Sequence, residues 1–187
     1  ERLVLTCMQG MSGVATITNQ IVSLLAGSHT RVLDTRKTTP GMRYLEKWAV
    51  KIGGGVNHRS GLYDMILIKD NHVDYSGGIA NAINNTHQYL AATGKKLPVE
   101  IEVRNLEELE EVLQTGGVDR ILLDNFKFDV LKQAVAIIKG RYITEASGGI
   151  TIGNVRDYAA CGVDYVSMGA LTHSVKSLDL SLKAVKL

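Results

Sequence analysis

The chain has 187 residues, 45% of them hydrophobic and 21% charged, which is the composition of a globular domain large enough for one hydrophobic core. Its 21 Lys and Arg residues exceed its 19 Asp and Glu residues by only two, so bulk charge does not indicate a nucleic-acid binder. Two isolated cysteines exclude a disulfide framework or a cysteine-based zinc site and suit a reducing cytoplasm.

The N-terminal segment predicts a long helix, and no apolar run in the chain approaches the roughly 18 residues that a membrane span needs. Apolar residues recur at helical spacing at Val4, Met8, Met11, Ala15, Val22 and Leu25. The small residues around Gly13 would let another segment pack closely against this helix.

Six short apolar or β-branched runs predict buried strands, at 31–33, 65–68, 99–103, 121–123, 142–144 and 165–168. Helical apolar patterns separate them, at 45–52, 79–90, 106–113, 131–138 and 152–159. Asn105 and Glu108 predict a capping box, and Gly162 predicts a left-handed helix end. This alternation indicates an α/β fold with parallel strands, either an incomplete TIM-barrel-like (β/α) barrel of about six strands or an open doubly wound sheet; we favour the barrel.

Polar clusters follow or end the predicted strands, where a parallel barrel places its active site. They are 34–37, 69–72, Glu100 with Glu102, Asp124 with Asn125, 145–149, and Gly169 with Ala170. Taken singly, Asp34 or Asp70 could cap a helix. The remaining polar residues favour structural roles: hydrogen bonding for His72 and His173, exposure for His29 and His87, and turns at the opposite rim for Asp119 and Asp164.

These clusters have the chemistry of an anion site. The turns at Ser147-Gly148-Gly149 and Gly169-Ala170 offer backbone N–H groups to a phosphate. Cations that suit carboxylates or phosphates stand at Arg36, Lys37, His58, Arg59 and Lys69. Asp70, Glu102 and Asp124 could hold Mg²⁺ through substrate oxygens or bind ribose hydroxyls.

Seven motifs together resemble the quinolinate phosphoribosyltransferase family. They are DTRKTTPG, GGGVNHR, LIKDNHV, VEIEV, LLDN, EASGGI and VDYVSMGALTHS, in family order over nearly the whole chain. The resemblance implies an incomplete barrel that transfers phosphoribose from phosphoribosyl pyrophosphate to quinolinate with Mg²⁺, releasing pyrophosphate and CO₂ and giving nicotinate mononucleotide.

The resemblance also implies residue roles. Quinolinate would be bound by Arg36, His58, Arg59 and Lys69, phosphoribosyl pyrophosphate and its Mg²⁺ by Lys37, Glu102 and Asp124, and the 5′-phosphate by Ser147, Gly148, Gly149 and Gly169, with Ala170 beside them. Lys37, Glu102 and Asp124 are the predicted catalytic residues, and Glu102 and Asp124 the predicted metal ligands. Arg2 resembles an arginine that the family extends into a partner subunit's site, in a homodimer or a hexamer of dimers.

The sequence departs from the family pattern at its start. Family members carry an N-terminal α/β sandwich domain, and we interpret residues 1–187 as the catalytic barrel alone, with part of the protein missing before Glu1. Two alternatives stay open: a relative that uses nicotinate, although the number of cations favours a diacid, and a barrel that binds a phosphate ligand without catalysis.

Overall fold

The computed structural model describes residues 1–185, so the last two positions of the predicted domain lie outside the described residues. The helices are α1 (Arg2–Leu24), α2 (Arg43–Ile52), α3 (Asp70–Ser76), α4 (Ile79–Thr93), α5 (Leu106–Thr115), α6 (Phe128–Ile138), α7 (Val155–Ala159) and α8 (Ala170–His173). The strands are β1 (Arg31–Leu33), β2 (Ile66–Ile68), β3 (Val99–Val103), β4 (Arg120–Asp124), β5 (Ile143–Ser147) and β6 (Tyr165–Ser167). No described helix is both long and apolar enough to cross a membrane.

The six strands form one parallel sheet in the order β1-β6-β5-β4-β3-β2. This is chain order wrapped into a circle and opened between β1 and β2, whereas a doubly wound sheet would reverse its order near the middle. The predicted incomplete barrel with a long N-terminal helix is therefore confirmed.

The seam between β1 and β2 is partly covered by the segment that follows α2. Val56 forms a parallel bridge with Leu33, and its N–H donates to the carbonyl oxygen of Val32 at 2.9 Å. The preceding glycines let this segment lie against α1, because a Cβ on Gly53 would meet the carbonyl oxygen of Ala15 at 2.5 Å. The glycine run is thus a close-packing element, and the expectation that small residues of α1 admit a neighbour is met.

The hydrophobic core lies between the sheet and its helices. Alternate strand residues such as Ile101, Ile121 and Leu123 are fully buried there. Leu109 of α5 and Leu131 of α6 cover them from the helical layer. Most inward-facing positions of β3 and β4 carry polar side chains, with Leu122 as the apolar exception in β4.

Several element boundaries differ from the prediction. Strand β5 continues to Ser147, so Glu145 lies inside a strand instead of following it, because its side chain is held in the barrel interior by Arg120. Helix α7 begins only at Val155, which leaves Ile152 outside it, and Gly162, with φ of 86°, lies beyond its end. The short helices α3 and α8 were not predicted.

The predicted capping box of α5 forms only in part. Asn105 accepts the Glu108 N–H at 2.8 Å, as expected. The Glu108 side chain, however, accepts the N–H of Arg104 at 2.7 Å and also binds its guanidinium, since this charged partner lies one residue further back.

The apolar faces predicted for the first two helices are partly wrong. On α1 the buried residues include Val14 and Ile21, whereas Val4 and Met8 are exposed. On α2 the buried face includes Lys47 and Ala49, while Trp48 and Ile52 are exposed. The reason for α2 is that Lys47 turns inward to bond a buried carboxylate, Asp34, which rotates the helix away from the expected face.

The core prediction is that Leu131→Ala lowers the free energy of unfolding by about 2–5 kcal/mol, because it removes a fully buried side chain and leaves a cavity. Urea denaturation followed by circular dichroism measures the loss. The matched control is Leu62→Ala, at a side chain that is 72% exposed, where we expect a change of about 0.5 kcal/mol or less. Equal losses at the two positions would contradict the packing described.

Candidate active site

A cavity of about 740 Å³ opens at the carboxyl ends of the strands. It is lined by twelve of the thirteen predicted site residues: Arg36, Lys37, His58, Arg59, Lys69, Glu102, Asp124, Ser147, Gly148, Gly149, Gly169 and Ala170. The structure therefore brings these residues together, while their individual roles remain predictions. Arg2, the thirteenth, is exposed on the first turn of α1 and does not line the cavity.

Strand periodicity explains why distant residues meet here. In β3 the core residues Ile101 and Val103 flank Glu102, which points to the opposite face and lines the cavity. In β4, Leu122 and Asp124 line it in the same way. Parallel strands all end at one rim, so inward residues near their carboxyl ends face a common space.

A buried carboxylate fixes the segment that carries His58. Asp34 is fully buried and accepts hydrogen bonds from the side chains of Lys47 and Asn57 and, at 2.9 Å, from the backbone N–H of His58. The Lys47 ammonium also donates to the carbonyl oxygen of His58 at 2.9 Å. Burial raises the pKa of Asp34 against the opposing effect of Lys47. The possibility that Asp34 caps a helix is thus wrong; it joins β1, α2 and the 57–58 backbone.

The cavity is lined by three cationic side chains that form no ion pair with the described acidic residues. Among the ion pairs of residues 1–185, none includes Arg36, Lys37 or Arg59. Burial and then the nearby charge of Arg36 lower the pKa of Arg59. Arg36 and Lys37 are exposed and Arg59 is half-buried, so these like charges attract an anion from solvent, and this end of the cavity suits an anionic ligand.

Lys37 is positioned through its backbone. The Thr172 hydroxyl donates to the carbonyl oxygen of Lys37 at 2.7 Å. A Cβ on Gly169 would meet the Lys37 side chain at 3.2 Å and the His173 ring at 3.0 Å. Gly169 therefore makes room for these two side chains at the cavity wall.

The remaining predicted ligands form two bonded groups at the rim. Lys69 donates to Glu102 at 2.8 Å. Across the cavity, Asp124 accepts from the Ser147 hydroxyl and, at 2.6 Å, from the amide of Asn125. Asn125 has a positive φ of 55°, and its side chain occupies the space where Gly148 has no Cβ.

A buried ionic cluster lies one layer deeper, and we name it the Glu100 cluster: His58, Glu100, Arg120 and Glu145. Nε2 of His58 lies 2.9 Å from Glu100 and 3.4 Å from Glu145, and Arg120 binds Glu145 at 2.9 Å. Both glutamates are fully buried. Arg120 supplies a positive charge to the two carboxylates, and Nε2 of His58 faces both of them.

The proton on Nε2 of His58 is fixed by this cluster. Burial alone lowers the pKa of His58, but the hydrogen-bonded carboxylates of Glu100 and Glu145 outweigh burial and raise it to about 9. Burial and then the charge of Glu145 raise the pKa of Glu100 to about 7, whereas His58 lowers the pKa of Glu145 against burial. The Arg59 N–H acts the other way on His58, since it donates to Nδ1 at 2.7 Å and disfavours a proton there. In either charge state Nε2 keeps a proton that faces Glu100.

Glu102 and Asp124 suit a magnesium ion that is shared with substrate. The three metal-ligand side chains that converge within 4.8 Å in residues 1–185 are instead His58, Glu100 and Glu145, where Arg120 already balances the charge. Glu102 and Asp124 form no such closed cage but offer hard oxygen donors to an open cavity. Mg²⁺ commonly takes one or two carboxylates and completes its shell with water and phosphate oxygens, so the residues fit that ion.

Most residues expected to be structural are so placed. His72 accepts the N–H of Lys69 at 2.9 Å and His87 lies 2.7 Å from the carbonyl oxygen of Gly117. His29 is exposed and Asp164 is half-buried at the amino-end rim, where Asp164 also accepts from the backbone of Thr144. Asp119 braces the start of β3 by accepting the Val99 N–H at 2.8 Å. His173 bonds Ser174 but also lines the cavity.

Sequence reasoning assigned no site role to nine residues that line the cavity, although the first three of them stand in its predicted rim clusters: Thr35, Asn125, Glu145, Leu67, Leu122, Ile150, Thr151, Ser167 and His173. The signal that could have found some of them is the period of two within each strand. Leu122 stands two residues before Asp124, and Glu145 two residues before Ser147, on the same inward face.

Comparison with known proteins gives a consistent family. Residues 14–183 match the family model described as quinolinate phosphoribosyl transferase, C-terminal domain. The chain is 47% identical to a Nicotiana glauca protein named quinolinate phosphoribosyltransferase [decarboxylating] 2, mitochondrial, over 98% of this chain and 56% of that protein. It is 45% identical to a Bacillus subtilis protein named probable nicotinate-nucleotide pyrophosphorylase [carboxylating], over 97% and 62%.

Solved structures agree. The nicotinate-nucleotide pyrophosphorylase from Francisella tularensis superposes with a TM-score of 0.91 at 42% identity, covering 97% of this chain and 63% of that one. NadC from Streptococcus pyogenes gives 0.90 at 42% identity, covering 98% and 64%. The chain thus spans a little over half the length of the curated relatives it matches, and about two thirds of these structures.

The glycine turn gives a prediction for Gly148→Ala. Gly148 has a φ of 94°, and a Cβ there would overlap the Asn125 side chain that holds Asp124. We expect a loss of about 1–3 kcal/mol in the free energy of unfolding, measured by thermal denaturation. The control is Gly153→Ala, where the nearest atom to a Cβ is 3.7 Å away and φ is not positive; a loss of the same size there would contradict the steric argument.

Proposed function

The chain belongs to the quinolinate phosphoribosyl transferase family, whose C-terminal domain model it matches, and we propose that it forms the catalytic barrel of an enzyme that makes nicotinate mononucleotide from quinolinate and phosphoribosyl pyrophosphate. The observation that carries the proposal is the set of cavity cations that form no ion pair within residues 1–185, Arg36, Lys37 and Arg59, beside a glycine turn and two carboxylates that line the same cavity. The names of the matched relatives support the same reaction.

Quinolinate is a ring dicarboxylate, and the cationic end of the cavity offers it more positive charge than a monoacid needs. Arg36 and Arg59 can each bind a carboxylate through two N–H groups, and His58 and Lys69 line the same space. A carboxylate that enters between the two guanidiniums also relieves their mutual repulsion. Nicotinate, which has one carboxylate, would leave part of this charge unbalanced.

Phosphoribosyl pyrophosphate would occupy the rest of the cavity. The backbone turn at 147–149, together with Gly169 and Ala170, suits the 5′-phosphate, and Lys37 suits the pyrophosphate as a mobile point charge. Glu102 and Asp124 would serve the ribose and hold Mg²⁺. When bound, Mg²⁺ would supply charge neutralisation for the leaving pyrophosphate.

The first chemical step is displacement of pyrophosphate at the anomeric carbon by the pyridine nitrogen. The anomeric carbon gains positive charge as the bond to pyrophosphate breaks, and a carboxylate of Glu102 or Asp124 nearby stabilises it. Asp124 enters this role already oriented, because Ser147 and Asn125 each bond one of its oxygens. Holding both reactants in one cavity supplies much of the remaining acceleration.

Loss of CO₂ follows, because the quaternised nitrogen stabilises the carbanion at the neighbouring ring carbon. An arginine that gripped the departing carboxylate would stabilise the ground state and slow this step. Arg36 and Arg59 therefore hold chiefly the carboxylate that stays. A bound quinolinate with both arginines on the departing carboxylate would contradict this arrangement.

Assembly and compartment are part of the same proposal. We expect a homodimer or a hexamer of dimers in which Arg2 of one subunit reaches the site of another, since Arg2 is exposed and away from its own cavity. We expect a cytoplasmic location, because isolated cysteines suit a reducing compartment. The Nicotiana glauca relative is named mitochondrial, and cell fractionation would distinguish these two compartments.

The function is tested with a substrate panel on the complete protein. We expect release of pyrophosphate and CO₂ from phosphoribosyl pyrophosphate with quinolinate, dependent on Mg²⁺, and no comparable release with nicotinate. Activity with nicotinate but not with quinolinate would show that nicotinate is the substrate. Ligand binding without any pyrophosphate release would indicate a non-catalytic barrel.

Arg59→Ala should raise the quinolinate KM by about tenfold to a hundredfold, because it removes a charge-assisted contact of about 1.5–3 kcal/mol. Steady-state kinetics at saturating phosphoribosyl pyrophosphate measure the change. The control is Arg31→Ala, at an exposed arginine that begins β1 on the opposite rim, where KM should not change. An unchanged KM for Arg59→Ala would remove Arg59 from the site.

A further inference from the structure

The His58 ring is held at both nitrogens. Its Nε2 lies 2.9 Å from Glu100, and its Nδ1 accepts the backbone N–H of Arg59 at 2.7 Å. Glu100 itself is fully buried and is not among the residues that line the cavity. It stands two residues before Glu102, one inward-facing position deeper in β3.

The Glu100 side chain is in turn confined by the rest of the Glu100 cluster. Nε of Arg120 lies 3.9 Å from the second oxygen of Glu100, and Arg120 is fixed by Glu145 at 2.9 Å and by the Tyr165 ring, whose centroid is 4.7 Å away. Glu100 therefore lies between two groups of opposite character to its own, with Nε2 of His58 at 2.9 Å on one side and the Arg120 guanidinium at ion-pair distance on the other. A carboxylate suits this position because it is attracted to both groups.

We propose that Glu100 is a positioning residue for the dicarboxylate end of the cavity: it fixes the His58 ring, and through Nδ1 of that ring the backbone of Arg59, so that the Arg59 side chain faces the substrate. This inference rests on the proposed function, because the substrate end is assigned by that proposal. Glu100 acts without touching the substrate.

Glu100→Gln is the sharpest change, because it keeps the size of the side chain but removes its charge and replaces one oxygen with an NH₂ group. If that NH₂ group faces the Nε2 proton of His58, two donors meet and the ring is displaced. We expect the quinolinate KM to rise about tenfold, as for the loss of one charge-assisted hydrogen bond. The KM for phosphoribosyl pyrophosphate should stay within about twofold, because its predicted ligands lie elsewhere.

The experiment compares Glu100→Gln with Glu110→Gln, the same change at an exposed glutamate of α5, in the complete protein. Nitrogen-15 NMR of labelled histidine supplies a readout that does not need activity. The His58 Nε2–H signal, assigned by its loss in His58→Gln, should shift in Glu100→Gln and not in Glu110→Gln. Should Glu100→Gln fail to fold, Glu100→Asp retracts the carboxylate by one methylene and must give the same selective rise in quinolinate KM.

The outcomes separate the two proposals. A wild-type protein that does not use quinolinate overturns the proposed function, and the NMR signal then still tests whether Glu100 holds His58. An active wild type with an unchanged quinolinate KM in Glu100→Gln overturns the positioning role alone. Equal rises in the KM of both substrates also overturn it, because they indicate a general structural defect.

Discussion

The site depends on one buried carboxylate, Asp34, at the open seam of the barrel. An incomplete barrel has two free strand edges, and here the chain between α2 and β2 must be held against β1 without a full ladder of hydrogen bonds. Asp34 does this by binding Lys47, Asn57 and the His58 backbone at once. A fully buried carboxylate is costly without partners, so the three donors and Asp34 require one another. The hydrogen bonds of Asp34 therefore fix the position of the backbone at His58 and, next to it, Arg59.

A second constraint acts along the strand axis. The interior of β3 and β5 carries polar side chains in two layers, with Glu100 and Glu145 below and Glu102 and Ser147 at the rim. The lower carboxylates are paired within the protein with His58 and Arg120. The upper layer is only partly neutralised and faces the cavity. This division explains how a barrel can hold buried charge stably and still leave reactive groups free at one end.

Much of this arrangement could be predicted from the sequence, because strand pattern and chain order are local properties. The six strands and the rim clusters follow from runs such as 99–103 and from the residues after them. The buried face of α2 could not be predicted, because a polar contact between Lys47 and Asp34, which are 13 residues apart, turns Lys47 inward. The Glu100 cluster was not predicted for the same reason. Its contacts form only when β3, β4 and β5 pair and the His58 segment packs against them.

The free cations at the rim follow from these two anchors. Arg36 is exposed and Arg59 is half-buried, and the charge of Arg36 contributes to the lowered pKa of Arg59. Asp34 holds the His58 backbone on one side, and the His58 ring holds the Arg59 N–H on the other, so the backbone at Arg59 cannot move easily. An anionic ligand that enters between the two guanidiniums would relieve their repulsion. The fixed 57–59 segment and the unpaired cations at the rim therefore act together, because the first keeps Arg59 beside Arg36 where an anion can bind both.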